Sequence, residues 1–169
     1  MEIRPEKPED VEAVRSVNVA AFGRENEANL VDRLRGIAST FSFVAVQSDR
    51  IVGHSLFSLV AVEGKCSSKL SVLGLAPVAV LPDYQRQGIG TLLIREGLKE
   101  CARSGFEAVV VLGDPDFYSR FGFVPASSKN LGCEYDVPDE AFMVLELESG
   151  ALQDCSGTVK YRSEFRMCE

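Results

Sequence analysis

The chain has no tryptophan and a single histidine, His54. Its five cysteines, Cys66, Cys101, Cys133, Cys155 and Cys168, include no pair at C-x-x-C spacing. One imidazole with scattered thiols does not make the ligand sets that hold zinc, so no metal is expected. The odd count and the scatter instead point to reduced cysteines in a cytoplasmic protein. The first residues, Met1-Glu2-Ile3-Arg4-Pro5, lack the apolar core of a signal peptide. No apolar stretch approaches the roughly 20 residues that cross a bilayer, so no membrane partner is expected. Positive charge is scarce as well: 18 Lys and Arg stand against 25 Asp and Glu, a net charge of −7. A nucleic-acid binder presents a basic face, which disfavours that class. An acidic surface suits a cationic substrate such as an amine, and it serves solubility equally well. Internal repeats, low-complexity segments and linkers are also missing.

What remains is an ordinary globular composition, 46% hydrophobic and 25% charged over 169 residues. That length carries one core, so residues 1–169 are expected to form a single domain. Glu2–Pro5 reads as a short strand. Pro8, Glu9 and Asp10 suit a helix start, and Val11, Val14, Val17 and Ala21 follow at helical spacing. A second helix is expected over 25–35, with Gly36 as its stop. Phe41–Gln47 and Ile51–Val62 are rich in β-branched and aromatic residues and flank a Ser48-Asp49 turn, which predicts a hairpin. Residues 63–69 read as a polar connection. Val72–Val80 is a strand whose Pro77 argues for a bulge or an edge. A helix over 88–104 sets Leu93, Ile94, Gly97, Leu98 and Cys101 against Arg95, Glu96, Lys99 and Arg103. Ala108–Leu112 is a buried strand, and two strands joined through a long helix predict a parallel pair. A short helix holds Phe117, Tyr118 and Arg120. Strands are then expected over 123–126, 141–147 and 158–165.

The most informative stretch is Val78-Ala79-Val80-Leu81-Pro82-Asp83-Tyr84-Gln85-Arg86-Gln87-Gly88-Ile89-Gly90-Thr91. A strand ends, a loop with two glycines follows, and a helix begins. The first N–H groups of a helix have no partner within it and carry partial positive charge, so they form an anion site suited to phosphate. Arg86 adds a fixed charge. The loop lacks the Lys-Ser/Thr ending of a Walker A sequence. It also has Leu93 where a dinucleotide fingerprint needs its third glycine. Taken alone, it reads equally as a glycine-rich helix start without a ligand.

Gln85-x-x-Gly88-x-Gly90 resembles the pyrophosphate-binding motif of the GNAT superfamily, the acyl-CoA-dependent N-acyltransferases. The order of elements matches that family over essentially the whole chain. So does Leu112-Gly113-Asp114-Pro115-Asp116-Phe117-Tyr118-Ser119-Arg120-Phe121-Gly122-Phe123, which resembles the segment after the buried strand in many GNAT enzymes. Gly157-Thr158-Val159-Lys160-Tyr161 looks like the tail of a bacterial subgroup of predicted acetyltransferases. The resemblance implies an α/β fold with a central, mostly antiparallel sheet splayed at one parallel strand pair and helices on both faces. Acyl-CoA is then expected between the splayed strands.

The same resemblance implies acetyl-CoA as co-substrate and a primary amine, on a small molecule or a protein N-terminus, as acceptor. Val78, Ala79 and Val80 are expected along the pantetheine arm, and Gln85, Arg86, Gln87, Gly88, Ile89, Gly90 and Thr91 around the pyrophosphate. The main-chain N–H of Val78 would meet the oxyanion. Tyr118 would stabilise or protonate the leaving thiolate, while Phe117 contacts CoA or packs in the core. A base must take the proton of the amine. Glu27, on the second helix, and His54, whose ordinary pKa suits proton transfer, are the candidates, with Glu63 and Ser71 weaker ones. Each has a structural alternative: a solvated helix carboxylate for Glu27, a satisfied strand histidine for His54, a core aromatic for Tyr118. A non-catalytic acyl-CoA sensor, and a binder of nucleotides or other phosphates, are the competing classes. Acceptor identity, acyl length and a monomeric or homodimeric state stay open.

Overall fold

The computed structural model describes residues 1–66 and 70–168. The chain falls into two compact units, Met1–Ser58 with Ala76–Lys99 and Ser163–Glu169 in one, Leu59–Leu75 with Glu100–Arg162 in the other.

In the first unit, β1 (Glu2–Pro5) pairs antiparallel with β2 (Phe41–Gln47), and β2 pairs antiparallel with β3 (Arg50–Lys65). The β2–β3 turn places Ser48 at φ 51° and Asp49 at φ 60°. Two left-handed residues in a row match the right-handed twist of a hairpin, and short polar side chains tolerate that conformation. Helices cover both faces of these strands. On one face Val44 and Leu56 pack against Val14 of α1 (Val11–Phe22) and Leu30, Val31 and Leu34 of α2 (Asn26–Leu34). Gly23 ends α1 in the left-handed conformation at φ 70°, a glycine stop. On the opposite face lies α3 (Ile89–Arg103), which follows β4 (Val72–Val80). Gly53 faces Ile89 and Leu93, and Gly97 faces the ring of Phe57. The two glycines let α3 lie close to the sheet.

In the second unit the start of β4 runs parallel to β5 (Ala108–Leu112). The ladder joins only Val72–Gly74 to Ala108–Val110 and ends there, although each strand continues. β5 then pairs antiparallel with β8 (Phe142–Glu146), and β8 with the short β6 (Val124–Pro125). The last residues of β3 pair antiparallel with β9 (Ser156–Lys160), which runs parallel to β7 (Leu131–Cys133). The result is the expected mixed α/β architecture, with the parallel β4–β5 pair at the loop-bearing strand and a second parallel pair, β7–β9.

Four expectations change. β3 runs to Lys65, beyond Val62, because its polar end is paired along its length with β9. Of the connection read over 63–69, residues 67–69 lie outside the described residues. A strand, β7, forms inside the segment read as a Ser/Asn/Gly loop. The terminal strand stops at Lys160, and Ser163–Cys168 is a 3-10 helix instead. Cys66 and Cys155 form a disulfide, which corrects the expectation that all the cysteines are free thiols. Each lies one residue beyond the Lys65–Ser156 pair of the β3–β9 ladder, so the ladder itself brings them face to face.

Candidate active site

The loop after β4 is built by its own hydrogen bonds. Leu81 N–H donates to the Val52 carbonyl oxygen at 2.9 Å, which fixes the end of β4. Pro82–Tyr84 is a 3-10 turn. Gln85 Nε2 reaches back to the Val80 carbonyl at 3.0 Å, and Gln87 Nε2 to that of Asp83 at 3.4 Å. Arg86 (φ 62°) and Gly88 (φ 85°) are both left-handed. Such alternation turns successive backbone N–H groups toward one side, a concavity suited to anions. The first bond within α3 runs from Leu92 N–H to the Gly88 carbonyl at 3.1 Å. The N–H groups of Ile89, Gly90 and Thr91 therefore have no carbonyl in their own helix. Residues 85–88 are exposed and Ile89 is buried, so the helix end is anchored below an open loop. Along β4, Val78 and Val80 are half-exposed while Ala79 is buried.

Gly90 is the informative glycine. Its backbone is not left-handed, and a Cβ there would meet only Val80 Cγ2, at 3.9 Å. Glycine inside a helix costs about 1 kcal/mol against alanine. Among the described residues nothing requires the missing side chain.

Tyr118 sits in a different setting. Asp114 caps α4 (Pro115–Tyr118) by accepting from Asp116 N–H at 3.0 Å, and Tyr118 N–H donates to the Asp114 carbonyl at 3.0 Å. The Tyr118 ring is held by Phe117, Phe121 and Phe123, with centroids at 5.0, 6.3 and 5.7 Å. Gly113 lies directly against its other edge. Burial raises the phenol to about 12, so it stays protonated throughout the physiological range.

The base candidates are placed differently. Glu27 is buried on α2, and Arg24 grips its carboxylate through Nε at 3.0 Å and Nη2 at 2.5 Å. It is a paired carboxylate, not a solvated one. His54 is fully buried on the face of β3 that packs against α1 and α2, away from α3 and its loop. Nδ1 lies 3.1 Å from Asn18 Nδ2 and Nε2 lies 2.8 Å from Ser42 Oγ. Burial, with the nearby Arg35 charge, pushes its pKa down to about 3. Both ring nitrogens are occupied, so this imidazole presents no lone pair to a substrate. Among the described residues no cluster of His, Cys, Asp and Glu could hold a metal, and no helix is long and apolar enough to cross a membrane.

Sequence reasoning missed Arg24, the Asn18–His54–Ser42 chain and Gly113. For Gly113 a signal existed, since a glycine stands just before the capped turn that carries the tyrosine. The partners of His54 come from α1 and β2, and no local pattern announces them.

A loop whose geometry suits an anion, a parallel ladder that stops early and a half-buried phenol mark the class. Residues 2–126 match the family model described as the acetyltransferase (GNAT) domain, and the chain belongs to that family. It is 37% identical, over 98% of both chains, to the uncharacterized N-acetyltransferase YhbS of Escherichia coli K12. The solved structure of Escherichia coli YhbS in complex with CoA superposes with a TM-score of 0.90 at 36% identity, covering 98% of this chain and 91% of that one. A GNAT family acetyltransferase from Brucella melitensis, solved with acetyl-CoA, gives a TM-score of 0.78 at 34% identity over 97% of each chain.

Proposed function

We propose that this protein moves an acetyl group from acetyl-CoA to a primary amine by direct attack. Gly90 carries the reading: it is a helical glycine that nothing among the described residues requires, at the helix end whose amides have no carbonyl in their own helix. A ligand that approaches the backbone closely supplies that reason. The CoA and acetyl-CoA complexes of the two similar proteins support pyrophosphate as that ligand. In this reading Gln85, Arg86, Gln87, Gly88, Ile89, Gly90 and Thr91 hold the pyrophosphate, and the β4 segment Val78-Ala79-Val80 lines the pantetheine arm. Phe117 contacts the cofactor.

The amine nitrogen attacks the thioester carbonyl. The carbon–nitrogen bond forms, the carbon–sulfur bond breaks, and the electron pair leaves on sulfur. The Val78 N–H meets the oxyanion. Tyr118 then acts on the sulfur, and its pKa decides how. A phenol near 12 is a weak acid toward a thiolate whose conjugate thiol ionises near about 8.5. Outright proton transfer is uphill by several pH units. Tyr118 therefore stabilises the thiolate as a hydrogen-bond donor that never loses its proton to bulk water. In this reading Glu27, a carboxylate of α2, takes the proton of the amine. His54 has no part in the chemistry.

Calorimetric titration with acetyl-CoA, with ATP and NAD as controls, tests the cofactor. One-to-one binding of acetyl-CoA alone is expected; binding of none of the three removes the reading. Thiol release across a panel of primary amines then tests transfer. Tyr118→Phe should lower turnover about tenfold or more with acetyl-CoA affinity nearly intact. CoA binding with no turnover on any amine favours the acyl-CoA sensor instead.

A further inference from the structure

The Tyr118 ring rests on Gly113, and that contact has an unusual balance. A Cβ built on Gly113 overlaps Tyr118 Cε2 and comes within 3.0 Å of Cδ2 and 3.5 Å of Cζ. No backbone atom is among these neighbours, and the Gly113 backbone is not left-handed. An alanine there would therefore be unstrained in φ and would conflict with one thing, the tyrosine ring. That ring is half-exposed and can swing about its side-chain torsions. Its backbone cannot follow, since Tyr118 N–H is tied to Asp114 and Gly113 N–H to the Ala141 carbonyl at 2.9 Å. Phe117 and Phe123 pack against the ring with centroids at 5.0 and 5.7 Å. Filling Gly113 would thus cost the fold little and move the hydroxyl, which lies at the far end of the lever.

From this geometry we infer that Gly113 is a positioning residue: its missing side chain is the seat that sets the Tyr118 hydroxyl for the departing sulfur of CoA. The inference rests on the role given to Tyr118 above. It adds that the seat matters for placing the hydroxyl and not for binding the cofactor.

The test uses CoA itself as probe, since its thiol reports the hydroxyl without any acceptor. A hydrogen bond from Tyr118 favours the bound thiolate, so the thiol of bound CoA ionises more readily. Ionisation is followed by thiolate absorbance of the CoA complex, less that of the protein alone, in the wild type, Gly113→Ala, Tyr118→Phe and the double variant. Tyr118→Phe should lower the ionisation constant of the bound thiol about tenfold, as expected for one hydrogen bond to a charged group. Gly113→Ala should lose most of that tenfold, and the double variant no more than Tyr118→Phe alone. CoA affinity by calorimetry should stay within about twofold for both single variants. The cost in unfolding midpoint of Gly113→Ala should be equal with tyrosine or phenylalanine at 118, because both rings carry the same Cε2.

Wild-type ionisation in Gly113→Ala overturns the seat. An equal further loss in the double variant overturns it too, since Gly113 would then act on something else. An unchanged bound thiol in Tyr118→Phe removes the role of Tyr118 and the seat with it, and is told apart by that single variant. If Gly113→Ala does not fold, Phe123→Leu, which loosens the packing around the ring without adding an atom, must shift the ionisation in the same direction.

Discussion

Asn18 Nδ2 lies 3.0 Å from the Val14 carbonyl oxygen and 3.1 Å from His54 Nδ1. The carbonyl can only accept, so the atom facing it is the amide nitrogen. His54 Nδ1 must then be the bare lone pair, accepting from Asn18. The other side of the ring gives the same answer. Ser42 Oγ lies 2.5 Å from Glu6 Oε1, and its one proton goes to that carboxylate. His54 Nε2 must therefore donate to Ser42 Oγ. A single neutral tautomer, with hydrogen on Nε2, satisfies both ring nitrogens.

That assignment gives a pH prediction with a definite sign. In the unfolded chain His54 takes a proton below about 6.5, whereas the folded protein resists until about 3. The unfolded state binds more protons between those values, so stability is full above the upper one and falls as pH drops toward the lower. The slope from this group approaches about 1.4 kcal/mol per pH unit. His54 is the only histidine, so its Cε1–H resonance is unambiguous. That resonance should not titrate between pH 8 and 5. A midpoint in that range would refute the buried, neutral assignment.

The elements that dominate the fold were legible because their signals are local. The Ser48-Asp49 turn, the apolar face of α3 and the continuous run of β5 each carry a pattern within a few residues. The order of strand, glycine-containing loop and helix after β4 was legible for the same reason. The paired end of β3, with Glu63, Gly64 and Lys65, was not, because its partner β9 arrives much later in the chain and its residues are polar. The Cys66–Cys155 bond is hidden by the same long-range pairing. His54 shows the limit most clearly. Its type suggested proton transfer, but its function in the fold depends on α1 and β2 neighbours that no spacing rule connects.

The loop assignment has a direct test. Gly90→Asp should leave the fold intact, because a Cβ there meets only Val80 Cγ2 at 3.9 Å. It sets a carboxylate at the amides proposed to hold the pyrophosphate, replacing attraction by repulsion in a confined space. Acetyl-CoA affinity should fall about a hundredfold with the unfolding midpoint shifted by little. Undiminished affinity in the calorimeter would remove the loop as the cofactor site.

The disulfide predicts a dependence on reductant. The bond closes a loop with a sequence separation of 89, and a cross-link of that span restricts the unfolded chain strongly. A loss of about 2–4 kcal/mol on reduction is expected. Denaturant unfolding with and without dithiothreitol measures it. The paired variant Cys66→Ser with Cys155→Ser should match the reduced protein and ignore the reductant. Equal stability in all four samples would show that the pair carries no such constraint.

Gly97 and Gly113 each lie against an aromatic ring, and the comparison separates packing from positioning. A Cβ on Gly97 would overlap Phe57 Cε2 and approach Cζ to 2.7 Å. Unlike Tyr118, Phe57 is fully buried, with Phe43 edge-on at 6.1 Å. Its ring has nowhere to swing, so the strain must spread into α3 or the sheet. Gly97→Ala should destabilise by about 1–3 kcal/mol, even though alanine is the better helix former by about 1 kcal/mol. Gly113→Ala should cost well under that. Adding Phe57→Leu to Gly97→Ala tests the cause, because a smaller side chain makes room for the new methyl. The double variant should be more stable than the sum of the two single losses predicts, with a coupling of about 1 kcal/mol or more. Simple additivity in urea unfolding would mean that the close approach of α3 to β3 does not depend on this contact.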